Sequence, residues 1–292
     1  MADILFDSDF MHKLEYLTLI SRKLFRGRSR GAHQTYRRGS SLEFHDYRSY
    51  QPGDDFRYID WNIYSRLDRL FVKLFAAEED LSVHILLDCS RSMAFGNPAK
   101  LDYGKKVAAA LAYIALLNLD RVGATTFSDS LRAFLPPFHR RAAGSVFDFF
   151  VKINAEGATD FNESLRAYAR KSTRPGLAII LSDLLDPRGY KDGLRSLLYG
   201  RHDIMVIHIL SEDEIDPAFS GSLLLSDCES GSQVKVTVDA PVINAYQRRL
   251  RRYFKELESF CIEHSIEYVR SSTLVPFEDL VLKYLRQGMY LH

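Results

Sequence analysis

The sequence is poor in cysteine, and its charges are balanced. Its 292 residues include three cysteines, Cys89, Cys228 and Cys261, an odd number without a Cys-x-x-Cys pair. This pattern indicates neither a disulfide framework nor a zinc site. The 39 Lys and Arg residues against 38 Asp and Glu residues leave a net charge of +1. The chain as a whole is therefore not attracted to nucleic acid or acidic lipid.

Long apolar runs are also missing. No stretch reaches the roughly 18 uncharged apolar residues that a membrane-spanning helix needs. The acidic start, with Asp3, Asp7 and Asp9, differs from the basic start of a signal peptide. We therefore expect a cytoplasmic protein with no membrane span.

The motifs of common hydrolases are absent or lack their context. The chain has no His-Glu-x-x-His metal motif, and its Gly-x-Ser-x-Gly match, residues 27–31, lies in a basic stretch without the preceding strand pattern that a nucleophile elbow needs. Two-metal hydrolysis would need more carboxylates than the sequence places together. The sequence therefore favours a protein without catalytic activity.

The chain does contain an alternation of strand and helix patterns, which is typical of a parallel sheet covered on both faces. We predict an α/β fold with a doubly wound, mostly parallel sheet for residues 81–292, with a β-hairpin inserted near 220–239. Residues 1–80 are predicted to form a separate unit. It would contain an amphipathic helix at 10–25, where apolar residues recur at helical spacing, and a β-rich segment at 42–76.

Three oxygen-bearing side chains follow the apolar strand pattern of residues 83–87. They are Asp88, Ser90 and Ser92, at positions i, i+2 and i+4. Ligands of open α/β sheets bind at the carboxyl ends of strands, where such a loop can turn three oxygens toward one point. Read alone, Asp-x-Ser-x-Ser is also typical of turns whose side chains bond to their own backbone.

Two later residues are predicted to reach the same edge of the sheet. Thr159 lies in a glycine-containing loop before a helical pattern, and Asp183 follows the apolar strand 177–182. Mg²⁺ prefers oxygen ligands in a near-octahedral shell. We predict that one Mg²⁺, with Mn²⁺ and Ca²⁺ as alternatives, is bound by Asp88, Ser90, Ser92, Thr159 and Asp183.

This ligand set also indicates a kind of partner. Three neutral hydroxyls and at most two carboxylates would leave the ion poorly neutralised. Mg²⁺ readily keeps waters, so an exchangeable position would remain. We expect an acidic residue of a partner protein to bind there.

The same residues resemble a known site. Asp88-x-Ser90-x-Ser92, followed by Thr159 and Asp183, resembles the metal-ion-dependent adhesion site of von Willebrand factor type A domains, and all five positions match. Residues 42–61 resemble the signature of the bacterial domain of unknown function 58 family, which carries a type A-like domain. The two signatures in this order extend the resemblance over nearly the whole chain.

The resemblance implies a function. In related type A domains a partner carboxylate completes the metal shell, which implies a non-catalytic, metal-dependent adaptor that binds other proteins. The family resemblance further implies that the adaptor works with a MoxR-type AAA+ ATPase in the assembly or activation of other proteins.

Two other functions remain open at this stage. The first is a Mg²⁺-dependent hydrolase acting on a phosphate ester. The second is binding of an anionic partner or nucleic acid through the basic stretch 22–38, which has seven Lys and Arg residues and no acid. We do not expect a nucleic-acid partner, because the chain as a whole is nearly neutral.

Acidic, basic and aromatic residues are dense between Asp46 and Trp61. We interpret them as a buried ion-pair network that fixes the first unit against the main domain, with Trp61 as the anchor. A docking face for a partner is the alternative interpretation.

Overall fold

The computed structural model describes residues 5–26, 44–75, 82–117, 121–138, 143–229 and 231–287. The chain divides into two compact units, one made of residues 1–24 and 81–292 and the other of residues 25–80. Among the described helices, not one combines the length and the apolar character that crossing a membrane requires.

The first helix, α1 (Ser8–Arg26), belongs to the large unit. It confirms the amphipathic helix predicted at 10–25. The Phe10 ring stacks on Phe277 with the centroids 5.0 Å apart, and Lys13 forms an ion pair with Glu278 at 3.0 Å. These contacts group α1 with the large unit, whereas the predicted domain division at residue 80 grouped it with the β-rich segment.

The small unit is built on an antiparallel pair of strands, β1 (Phe44–Ser49) and β2 (Phe71–Phe75). Between them lie a 3-10 turn and the short helix α2 (Trp61–Leu67). The Asp60 carboxylate accepts hydrogen bonds from the first backbone N–H groups of α2, which is why a helix begins at this point. The β-rich prediction for 42–76 therefore holds for the two strands, while part of their connection is helical.

Ion pairs predicted for the small unit are present. Arg48 donates to both carboxylate oxygens of the buried Asp54 at 2.9 Å. The Lys73 ammonium lies 3.0 Å from Asp60 and lowers the pKa of that carboxyl to about 2. The pair of Arg57 with Asp55 is exposed, so the network is buried only in part. Trp61 is 59% exposed, and its role as an anchor against the main domain stays a prediction.

The large unit is built around a six-stranded sheet. Its strands are β3 (Ser82–Asp88), β4 (Arg121–Phe127), β5 (Leu131–Phe138), β6 (Leu177–Ser182), β7 (Asp203–Leu210) and β10 (Glu267–Ser272). Their spatial order is β10-β7-β6-β3-β4-β5, and every neighbouring pair is parallel except β4 and β5. The prediction of an α/β fold with a mostly parallel sheet is confirmed.

Helices cover both faces of this sheet. They are α3 (Lys100–Leu117), α4 (Ala143–Val151), α5 (Phe161–Lys171), α6 (Lys191–Tyr199), α7 (Glu212–Ile215), α8 (Ala240–Glu263) and α9 (Phe277–Gln287). On β7, Ile204 and Val206 share a core with residues of α5, α6 and α8. The alternate residues Met205 and Ile207 face α3 and α9. This two-sided covering explains why the strands are continuous apolar runs.

The hairpin predicted near 220–239 is present as β8 (Gly221–Ser226) and β9 (Gln233–Val238). The two strands pair with each other as a separate two-stranded antiparallel sheet. Helix α4 was not predicted. Most of the basic stretch 22–38 lies outside the described residues.

Candidate functional site

The sequence-predicted site lies where the order of the strands reverses. From β3 the chain adds β4 and β5 on one side, then returns to place β6 on the other side of β3. Asp88 is the last residue of β3, and Asp183 directly follows β6. Helices connect to opposite faces of the sheet at such a reversal and leave a crevice at the carboxyl ends of the strands. Both carboxylates lie at this crevice.

Asp88, Ser90 and Ser92 converge through hydrogen bonds. One carboxylate oxygen of Asp88, Oδ1, accepts from the backbone N–H of Ser90 at 2.9 Å and from its hydroxyl at 2.7 Å. The Ser90 and Ser92 hydroxyl oxygens are 3.0 Å apart. Asp88 and Ser90 are completely buried, so hydrogen bonds in the protein interior fix the loop.

The second strand end completes a continuous group of oxygens. The Ser182 hydroxyl donates to the other carboxylate oxygen of Asp88, Oδ2, at 2.7 Å. The Ser92 hydroxyl lies near the Asp183 carboxylate and lowers its pKa. Burial and the negative charge of Asp183 raise the pKa of Asp88 to about 7. Asp88 is thus a buried carboxylate whose hydrogen bonds come from neutral groups, which leaves its charge uncompensated.

Asp183 has a cationic partner of its own. The Lys100 ammonium, at the start of α3, lies 2.7 Å from Oδ2 of Asp183 and 2.5 Å from Oε1 of Glu214. Although burial disfavours its ionised form, these contacts with Lys100 lower the pKa of Asp183. The two carboxylates of the site therefore differ, since Asp183 is neutralised within the protein and Asp88 is not.

Thr159 lies on the adjacent loop, which is bonded to the loop after β3. The Arg91 N–H donates to the carbonyl of Gly157 at 3.0 Å, and the Glu156 N–H donates to the carbonyl of Cys89 at 2.8 Å. The Thr159 hydroxyl does not bond to the serines. It donates to Glu229 at 2.5 Å, and the Thr159 backbone N–H donates to the same carboxylate at 3.0 Å.

The donor set suits a hard cation. The separations of 2.7 to 3.0 Å among the oxygens of Asp88, Ser90 and Ser92 match the edge of an octahedron with Mg–O bonds of 2.0–2.1 Å, which is about 3 Å. Within the described residues, no three His, Cys, Asp or Glu side chains form a metal-binding cluster. A metal here would thus be held by the Asp88 carboxylate together with the Ser90 and Ser92 hydroxyls. Asp183 and Thr159 would lie beside the metal, because they bond to Lys100 and Glu229.

Neighbouring side chains have structural roles. Cys89 is buried and donates to the carbonyl of Phe127, and burial raises the pKa of its thiol to about 11, which makes it a poor nucleophile. The Asp160 carboxylate caps α5 by accepting from the Glu163 N–H at 3.0 Å. Gly104 lets α3 approach the sheet, since a Cβ there would lie 3.0 Å from Leu87.

Four residues of the site were not predicted. Ser182, Lys100 and Glu229 each bond to a predicted site residue, and Glu214 bonds to Lys100. The Ser182-Asp183 pair at the strand end was a local signal for the first. Lys100 is separated from Asp183 by 83 residues, and Glu229 from Thr159 by 70, so no local pattern could have identified them.

Comparison with known proteins identifies the family. Residues 46–256 match the family described as protein of unknown function DUF58. The chain is 26% identical over 241 residues to the uncharacterized proteins Rv1480 of Mycobacterium tuberculosis and Mb1516 of Mycobacterium bovis, covering 80% of this chain and 76% of each relative.

Two solved structures are similar at a lower level. An aerotolerance-related membrane protein of Bacteroides fragilis has a TM-score of 0.48 at 17% identity. The hypothetical protein BatB of Bacteroides thetaiotaomicron has a TM-score of 0.46 at 14% identity. Each covers 73% of this chain and 100% of its own. Because the family match extends over most of the sequence, the chain belongs to the DUF58 family.

Proposed function

We propose that this protein is a non-catalytic adaptor whose carboxyl-edge crevice binds a divalent cation and, through it, an acidic residue of a partner protein. The proposal includes a von Willebrand type A-like identity for the large unit. The five matching motif positions support that identity, as does the position of Asp88 and Asp183 at the reversal of the strand order.

One observation carries the proposal. Asp88 is fully buried at the end of β3, and among the residues that the structure describes its oxygens accept hydrogen bonds only from the neutral Ser90 and Ser182. A buried carboxylate without a cationic partner is costly, and a bound cation removes that cost. The adjoining Ser90 and Ser92 hydroxyls supply the further oxygens that such a cation needs.

The protein's own residues hold this site ready. Ser182 and the Ser90 backbone fix the orientation of the Asp88 carboxylate, while Lys100, itself paired with Glu214, fixes Asp183. A bound Mg²⁺ would supply an exchangeable position with net positive charge that attracts a carboxylate. Cys89 is not an activated nucleophile, because the pKa of its thiol is raised. This supports binding rather than catalysis.

Calorimetric titration with Mg²⁺ and Mn²⁺ tests the metal site. We expect stoichiometric binding to the parent protein, and at least tenfold weaker binding to Asp88→Asn and Ser90→Ala. Asp213→Asn, which removes an exposed carboxylate on α7, is the matched control and should bind as the parent does. Equal affinity for all four proteins would show that the site has been misread.

The partner is tested with the same variants. We propose a MoxR-type AAA+ ATPase, on the strength of the family resemblance. Its binding to immobilised protein should be lost in Asp88→Asn and retained in Asp213→Asn. Binding that ignores Asp88→Asn but disappears when Arg28 and Arg30 are neutralised would instead assign docking to the basic stretch 22–38.

A further inference from the structure

The turn of the β8–β9 hairpin reaches the candidate site. Glu229, in this turn, accepts hydrogen bonds from the hydroxyl and the backbone N–H of Thr159. Its own N–H donates to the side chain of Asp227 at 3.0 Å, which fixes the turn. A carboxylate from a distant part of the chain is therefore hydrogen-bonded to Thr159, a predicted metal ligand.

The turn also lies near the cationic side of the site. The neighbouring thiol of Cys228 lies within electrostatic reach of Lys100. Burial, Glu229 and Asp227 raise the pKa of Cys228, and the Lys100 ammonium opposes this increase. The turn is thus bonded to the Thr159 loop and lies close enough to Lys100 to be affected by its charge.

The rest of the hairpin has little to hold it. Its strands pair only with each other within the described residues, and Leu224, Leu225 and Val234 are exposed. An isolated two-stranded hairpin is marginally stable in water. Within the described residues, the two bonds from Thr159 to Glu229 therefore tie down an element whose strands pair with no other strand, and such an element can be displaced at modest cost.

We infer that Glu229 occupies, from within the chain, the position that an acidic partner residue takes at this site, so that the β8–β9 hairpin closes the site until a partner replaces it. The inference rests on the proposed function, because Glu229 and the acidic residue of a partner would each place a carboxylate beside Thr159, a predicted metal ligand. The hairpin is thereby an internal competitor that sets the affinity for acidic partners.

Matched variants separate this role from a general loss of charge. Glu229→Ala removes the carboxylate from Thr159. Glu263→Ala removes an exposed carboxylate at the end of α8, in the same unit. Binding of Mn²⁺ to each full-length protein is first measured by electron paramagnetic resonance. The probe for the partner position is acetate labelled with ¹³C at its carboxyl carbon, whose relaxation is enhanced when it lies beside bound Mn²⁺.

At equal bound Mn²⁺, we expect several-fold greater paramagnetic relaxation of acetate with Glu229→Ala than with the parent or Glu263→Ala. Amide hydrogen exchange in residues 221–238, measured without metal, should also be faster in Glu229→Ala alone. Unchanged exchange would show that Glu229 does not hold the hairpin and would overturn the inference.

The remaining outcomes are distinguishable. Mn²⁺ bound with equal acetate relaxation in all three proteins overturns the inference and leaves the proposed function standing. Mn²⁺ bound by the parent but lost in Glu229→Ala makes Glu229 a metal ligand, which also overturns it. No Mn²⁺ binding by any of the proteins overturns the proposed function, and the inference fails with it.

Discussion

The ammonium of Lys100 lies 2.7 Å from Oδ2 of Asp183, and both side chains are almost completely removed from solvent. Such a pair is expensive to break, because the remaining charge stays buried without a partner. The pair therefore couples the beginning of α3 to the end of β6, and the stability of the site depends on it.

Replacing Lys100 with Met should lower the free energy of unfolding by about 3–5 kcal/mol. Urea unfolding followed by circular dichroism measures the change. Lys106→Met, on the same helix but outside this ion pair, is the control and should change stability little. If Lys100→Met is as stable as the control, the Lys100–Asp183 contact does not contribute as the geometry indicates. The double variant Lys100→Met with Asp183→Asn should recover part of the loss.

The decrease in the free energy of unfolding at acidic pH should depend on His84. Burial, together with the nearby His202, lowers the pKa of His84 from 6.5 to about 4. Between these values the unfolded chain binds a proton that the folded protein excludes. Stability is therefore complete above pH 6.5 and falls as the pH decreases toward 4, by at most about 1.4 kcal/mol per pH unit for this residue.

Denaturant unfolding at several pH values measures this slope. His84→Gln should flatten the profile between pH 6.5 and 4, although the variant also loses the 2.8 Å bond between His84 Nδ1 and the Tyr168 hydroxyl. His12→Gln, at an exposed position of α1, should leave the slope unchanged. A profile with the same slope in His84→Gln and in the parent would contradict the assignment.

Gly176 should not tolerate a side chain. A Cβ at this position would lie 2.1 Å from the carbonyl oxygen of Ser82, at the beginning of the adjacent strand β3. Gly176→Ala should therefore cost about 3 kcal/mol, because backbone must move to relieve the contact. Gly144→Ala, where a Cβ would meet nothing within 4 Å, should show no loss. Thermal unfolding of the two variants compares them directly.

The protein should have no turnover of its own. Phosphatase, nuclease and peptidase substrates with added Mg²⁺ should be converted no faster than in blanks. Asp88→Asn and the surface variant Asp213→Asn should give the same background. Activity that is present in the parent and in Asp213→Asn but absent in Asp88→Asn would favour the phosphate-ester hydrolase instead.

The sheet and the strand-end acids could be predicted because their signals are local. The apolar runs before Asp88 and Asp183 are strands buried on both faces, and each acid directly ends its run. Helix α1 and the β8–β9 hairpin were likewise encoded by short-range periodicity. Helix α4 was not predicted, because its apolar residues are nearly continuous and show neither a helical nor a strand period.

The contacts that set the character of the site could not be predicted from local patterns. Lys100, in the first turn of α3, has the sequence context of an exposed helix residue, and only the fold brings it to Asp183. Glu229 occupies an ordinary polar turn.

The grouping of α1 with the large unit has a practical consequence for dissecting this protein. A shortened chain that starts at residue 81 would keep every strand of the six-stranded sheet, yet it would lose the ring that stacks on Phe277 and the cation that pairs with Glu278. Helix α9 would then present an uncovered apolar surface to solvent, and aggregation would be expected. A minimal version of the large unit should instead retain α1 and rejoin it to β3 through a short flexible linker.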